Sequence, residues 1–466
     1  MSLRPLLTYA QEDEAVAALS DAARKAPQRA FVSQSMRPYL LAALLDAQPE
    51  RPALVVAGDD RAARDLAADL KQFLSPRPVR LYPARGVRYE SHLAPPPHLV
   101  GLRIAALDAL VEGSAVAGGA PGAGAPVVVA GAVALAEKVP DPELRPHGFT
   151  IEKGGLLDLD ETAAQLVACG YERVEQVEER GQFALRGDIV DIYPATEERA
   201  VRCELFDIEV ERLTFFSTFT QRSLEEVERV EIAPAAELAP EHRELAEIAA
   251  ADIAAQSRKK SDDDSGTDSP GDDRLDIAEL LPVDRFGELL DLLPADALVA
   301  IAAEEELAPA LRDHWDDVTT SFHDADAGHL YVDPERLQEG LDARAALRLS
   351  SISGDQPHSF RAQAAETAAR SLEAAEPELE KLIRSGYRTF VPWARQGEAE
   401  RAAYNLTRVR AAFLGGAPRA RPGSAAADDV PELRAKARAA DVEAPHEPGL
   451  TFAVASLREG FVAPAR

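Results

Sequence analysis

The stretch Gly181–Pro194, GQFALRGDIVDIYP, decides how this chain is read. Gln182–Arg186 alternates, and Ile189, Val190, Ile192 and Tyr193 are the β-branched and aromatic residues that suit a pleated surface. Arg186-Gly187-Asp188 reads as a hairpin turn between two short strands, with Gly187 free to adopt a positive φ. Gly181 and Asp188 complete the set of turn-forming residues. An incoming strand is expected over Tyr171–Val177, and further strands over Val201–Phe206, Glu209–Leu213 and Arg229–Ile232. The result is a small β-rich module that offers arginines on a sheet edge and at its turns. It carries no nucleophile–base pair and no metal-ligand cluster, so its composition is that of a docking surface.

On both sides of this module the pattern changes to alternating strands and helices. Ala53–Ala57 (ALVVA), Val79–Tyr82 and Pro126–Ala130 (PVVVA) read as buried strands, and Asp59-Asp60 caps a helix over 61–73. A short strand over Arg29–Val32 leads through a loop into a helix that begins at Pro38. Such alternation implies a parallel sheet covered on both faces. After the module, helix is expected over 275–293, strand over 297–302 and helix again from Glu304 to Trp315, which reads as the second half of the same lobe. A charged helix over 359–385 broken near Pro377, a strand over Tyr387–Val391, a helix over 398–414 and a strand over 450–454 then indicate a small C-terminal α/β domain.

Three blocks in fixed order carry a family resemblance: RGDIVDIYPA at 186–195, VRCELFDIEVERL at 201–213 and SLEEVERVEIAPAAE at 223–237. They resemble the protein-docking domain shared by UvrB and the transcription-repair coupling factor family (Mfd). The family usually has Gly-Asp after its Leu-Phe pair, where this chain has Asp207-Ile208. The resemblance implies a multidomain α/β protein: a P-loop-NTPase-like lobe with a degenerate nucleotide site over 1–150 and 239–345, interrupted by a β-rich UvrA-docking domain over 151–238. An incomplete small α/β domain follows over 346–466, and an acidic insertion at 257–273 is expected to be disordered.

The missing phosphate grip separates the two relatives. A phosphate-binding loop needs a Gly-rich turn followed by Gly-Lys-Ser/Thr, so that backbone N–H groups and one ammonium cradle the phosphates. None of the eight lysines (25, 71, 138, 153, 259, 260, 381 and 436) follows a glycine. UvrB keeps this loop, so the resemblance leans towards the coupling factors, with a UvrB-like DNA-dependent ATPase or a truncated product without independent activity as the alternatives. It implies that UvrA is the partner and that Arg173, Arg180, Phe183 and Arg186 are the residues it grips. RNA polymerase and double-stranded DNA would belong to missing parts of the family's full-length protein, as would the ATP and magnesium of its translocase motor. No cofactor is expected in this chain, which therefore reads as a fragment without enzymatic activity of its own.

Composition narrows the field further. Lys+Arg of 51 against Asp+Glu of 80 gives −29, a surface that repels phosphate backbones and predicts weak or no DNA binding. Cys169 and Cys203 are too few for a disulfide framework or a zinc site and read as core residues. No apolar run reaches membrane-spanning length, and a cytoplasmic location is expected. The glycines of 113–126 lack dinucleotide-binding spacing, and the Asp-rich 262–264 and the His323–His329 cluster lack metal-ligand order. Tyr82 and Tyr89 are expected as packing residues rather than base stackers.

Overall fold

The computed structural model describes residues 2–89, 95–112, 124–239, 283–322, 327–365, 371–415 and 444–463. The acidic insertion, the first part of the helix expected over 275–293 and most of the 113–126 loop lie outside these residues, as do four residues of the His323–His329 cluster.

Valine-rich runs flanked by amphipathic helices produce the expected parallel sheet. Seven strands lie in the order His358–Phe360, Gln28–Val32, Ala345–Ser350, Leu298–Ile301, Ala53–Ala57, Val127–Gly131, Val79–Tyr82, and every adjacent pair is parallel. One face packs on helices Arg37–Asp46 and Asp60–Leu74 through Leu40, Leu41, Leu66, Leu70 and Phe73. The other meets helices Pro97–Glu112, Glu304–Phe322 and Pro334–Arg344 through Leu107, Leu110, Leu307, Leu311 and Leu337. Ala53–Ala57 is buried at every position, and each fully buried Val or Leu contributes about 1.5–3 kcal/mol. Asp59 caps the second helix as expected, accepting from the Ala62 N–H at 2.7 Å.

Four local expectations change. The lobe does not end at 345, because Ala345–Ser350 and His358–Phe360 are strands of its sheet. The charged helix starts at Leu372 rather than 359 and passes through Pro377 without a break, the proline lying in its N-terminal half where few intrahelical N–H bonds are lost. The expected 398–414 helix ends at Asn405, and Ala411–Phe413 is a strand. Within 283–293 the chain forms 3₁₀ turns and a two-residue strand instead of a helix. One helix, Pro97–Glu112, was not anticipated; its apolar residues lie almost all round, so no single stripe announces it.

The β module is an insertion whose two ends are clasped together. Phe149–Glu152 leads in, Arg229–Ile232 leads out, and the two pair antiparallel with Arg229 opposite Glu152. Between them runs a six-stranded sheet ordered Ser223–Glu226, Glu209–Phe216, Ala200–Phe206, Ile189–Ile192, Gln182–Arg186, Glu172–Arg173. All pairs are antiparallel except the last, and the incoming strand is only two residues long rather than the seven expected. Helix Leu159–Ala168, capped by Asp158, contributes Leu166 to the core beneath one face, with Phe183, Val190, Ile192, Val201 and both cysteines.

The lobe holds this module through close backbone approach and buried charge. A Cβ on Gly101 of helix Pro97–Glu112 would stand 2.6 Å from that of Ala195, so only glycine lets the two parts meet there. Glu237, at the module's exit, lies 2.7 Å from Arg85 and 3.4 Å from Arg103. Arg103 is 2% exposed and also donates to Glu137 at 2.6 Å and to the Pro83 carbonyl at 2.9 Å. Tyr82 and Tyr89 stack under Arg103 and Arg85 and are buried, so they are packing residues as anticipated.

A third unit carries a parallel three-stranded sheet ordered Arg388–Trp393, Gly449–Val454, Ala411–Phe413. Helices Leu372–Arg384 and Gln396–Asn405 cover one face, and Ala453, Ala455 and Phe390 turn the other towards the first lobe. The architecture is therefore multidomain α/β with an inserted β-rich domain.

Candidate protein-docking surface

Where a phosphate loop would lie, the chain has closed on itself. Gln28–Val32 is followed by a 3₁₀ turn, Gln34–Met36, and then by helix Arg37–Asp46. The Ser33 N–H, which a phosphate cradle would leave free, donates to the Phe360 carbonyl at 3.0 Å. Arg37 opens the helix, and the carboxylate of Glu305 lies 4.0 Å away. Two acids beside this turn, Glu305 and Glu306, oppose an incoming triphosphate.

The β module presents its polar groups by strand alternation. In Gln182–Arg186 the inward residues are Phe183 and Leu185, and the outward ones are Gln182, Ala184 and Arg186. Gly187 takes φ +59 and Asp188 does not, the pattern of a two-residue turn with glycine at its first central position. Gly181 is also left-handed at φ +83. Register then places Arg186 beside Ile189, Ile189 beside Glu204 and Glu204 beside Arg212 in one row across the outer face. One step inward, Asp191 grips Arg202 with both oxygens, at 2.7 and 2.8 Å, over the ring of Phe216.

The four residues expected at the interface do not share one face. Phe183 is wholly buried among Tyr171, Ile192 and Leu166, and its expected role in contact is corrected: it supports the surface from below. The helix Leu159–Ala168 covers its side of the sheet, and a large aromatic gains most by moving under that cover. Arg173 is in register with Phe183 and leaves the edge strand on that inner side, exposed. Arg186 leaves on the outer side, and its Nη2 donates to the Glu175 carbonyl at 2.8 Å across the same edge. Arg180 stays with the outer side, 5.7 Å from the Tyr193 ring centroid and donating to the Glu197 carbonyl at 2.7 Å.

Charge availability distinguishes these arginines. Arg199, Arg202, Arg212 and Arg229 are each ion-paired, to Glu225, Asp191, Glu226 and Glu152 respectively. Arg173, Arg180, Arg186 and Arg222 form no ion pair among the described residues. A guanidinium held by carbonyls keeps its full charge and a fixed fork, the state in which it can meet a carboxylate on another protein.

Residues 149–238 match the family model of the UvrB interaction domain. The inserted module is similar to that family over its whole length. The match begins with the incoming Phe149–Glu152 strand and ends just past Glu237, so the sequence family and the structural insertion share their limits. Over 210 residues, 45% of its length, the chain is 33% identical to the transcription-repair-coupling factor of Bacillus subtilis (strain 168). It is 31% identical over 192 residues, 41% of its length, to that of Staphylococcus aureus (strain USA300). These matches span 17% and 16% of the two relatives. Both cysteines are buried, and burial pushes the Cys169 thiol up to about 11, so neither offers a nucleophile near neutral pH. Among the described residues no three His, Cys, Asp or Glu side chains converge as a metal site, and no helix is long and apolar enough to cross a membrane.

Proposed function

We propose that the chain recruits UvrA as part of a transcription-repair coupling factor, through the edge of its UvrB interaction domain that carries Arg173 and Arg186, with Arg180 beside them. The supporting observation is that these arginines form no ion pair among the described residues of a protein of net charge −29. The lobe behind the module acts as a rigid mount, and nothing in its closed first turn favours a nucleotide-driven reading. RNA polymerase and double-stranded DNA are not assigned to any surface described above, and the acidic balance disfavours the second.

Calorimetric titration of the chain with purified UvrA tests this. Arg186→Ala is expected to cost about 2 kcal/mol or more, the range of interface hot-spot truncations. Wild-type affinity for that variant would remove the site assignment, and no binding by the unaltered chain would remove the function.

A further inference from the structure

The outer face of the UvrB interaction domain continues beyond the arginine row into one where two exposed apolar side chains flank Glu209. Phe206 is paired with Glu209, and Glu209 is bridged on its other side to Leu156, so the three side chains form a single row across the end of the sheet. Phe206 is 75% exposed and Leu156 77%, with Ile208 of the intervening turn at 45%. Alternation explains the placement: Val201, Cys203 and Leu205 point into the core, which leaves Arg202, Glu204 and Phe206 outside. The arginine hairpin and this one are tied together, the Leu205 N–H donating to the Asp188 carbonyl at 2.9 Å. Phe206 lies two strands across and two residues along from Arg186, a separation of roughly 12 Å at standard sheet spacings.

We infer that Phe206 and Leu156 are the apolar half of the surface whose charged half is Arg186, and that both halves take the same protein partner. This deepens the UvrA reading and rests on it. The occupant is a folded protein patch with apolar side chains next to carboxylates: Arg186 supplies a carboxylate site with no ion-pair partner among the described residues, and the adjoining row supplies a desolvating contact. An aromatic set beside an arginine fork is the pairing that dominates protein interfaces, and a mixed patch of this kind excludes water from the charged contact. The chain's own departure at Asp207-Ile208 adds an apolar residue to the same tip.

The test compares Phe206→Ser, Leu156→Ser, their double variant and Arg186→Ala in the full chain, by calorimetric titration with UvrA and by sedimentation of the chain alone. Each serine variant is expected to weaken Kd at least fivefold and the double variant at least thirtyfold, with circular dichroism and Tm unchanged because both side chains are exposed. If Arg186→Ala weakens binding while the double serine variant binds as the wild type, the inference fails and the UvrA reading stands. Loss with the double serine variant but not with Arg186→Ala would overturn the pairing of the two halves, leaving Phe206 and Leu156 as a contact without Arg186. A wild-type dimer abolished by the serine substitutions, with UvrA affinity unchanged, would make the occupant a second copy of this chain and overturn the inference. No UvrA binding by the wild type would overturn both.

Discussion

The parallel lobe and the inserted module use the same residue, arginine, in opposite ways. In the lobe, Arg77 is 3% exposed and its guanidinium donates to three carbonyls, those of Ala125, Leu45 and Arg51, at 2.5–2.6 Å. Arg103 is sealed between Tyr82, Glu137 and Glu237. In the module, Arg173, Arg180 and Arg186 stand at the surface or near it without a carboxylate partner among the described residues. A guanidinium buried against several partners fixes one geometry, whereas one that meets only carbonyls, as Arg180 and Arg186 do, keeps its charge for another molecule. The first arrangement makes a mount, and the second suits the docking role proposed for the module.

The largest effect should come from breaking the mount. Arg103→Ala leaves Glu137 buried without its partner and is expected to cost about 3–5 kcal/mol in urea denaturation. Phe183→Ala should cost about 3 kcal/mol by emptying the module's core, and the fraction that remains folded should still bind UvrA. A folded Phe183→Ala protein with abolished binding and unchanged stability would restore that ring to the interface and blur the contrast between support and surface.

Asp69 gives a smaller, pH-dependent effect at the seam between the lobe and the C-terminal unit. Burial pushes its carboxyl up to about 6, opposed by the Arg458 N–H that donates to it at 3.1 Å. Its unfolded value is about 3.9, so between these limits the folded state binds more protons than the unfolded chain. This group's contribution to stability therefore falls as pH rises from about 4 to about 6. Denaturation midpoints across that range should lose this slope in Asp69→Asn, and an unchanged slope would show that another group carries it.

The smallest effect tests the module's own strain. Asp207 holds φ +59 where the family usually has glycine, and Asp207→Gly should stabilise by about 0.5–1 kcal/mol in thermal unfolding. A destabilisation would mean that the aspartate side chain supports the turn.

Several of these features were legible beforehand. The lack of a Gly-Lys pair is read directly from the sequence, and in the fold the Ser33 N–H at the first strand–helix junction donates to the Phe360 carbonyl. Gly187 was placed correctly because a two-residue turn leaves little choice of residue. Less accessible were the strands Ala345–Ser350 and His358–Phe360, whose pairing with Gln28–Val32 spans more than 300 positions, beyond any local pattern.

By itself, the sequence determined the module's central strands, the turn at Gly187, and which residues of each of those strands share a face. Period-two alternation is a local property of extended backbone and needs no neighbour to express it. Only tertiary structure decided which face was covered. The helix Leu159–Ala168 packs under Phe183 and leaves Phe206 outside, reversing the expected role of one aromatic and exposing the other. It also decided which arginines lack an ion pair among the described residues, because among 80 acids no spacing along the chain tells which carboxylate will come within reach of which guanidinium.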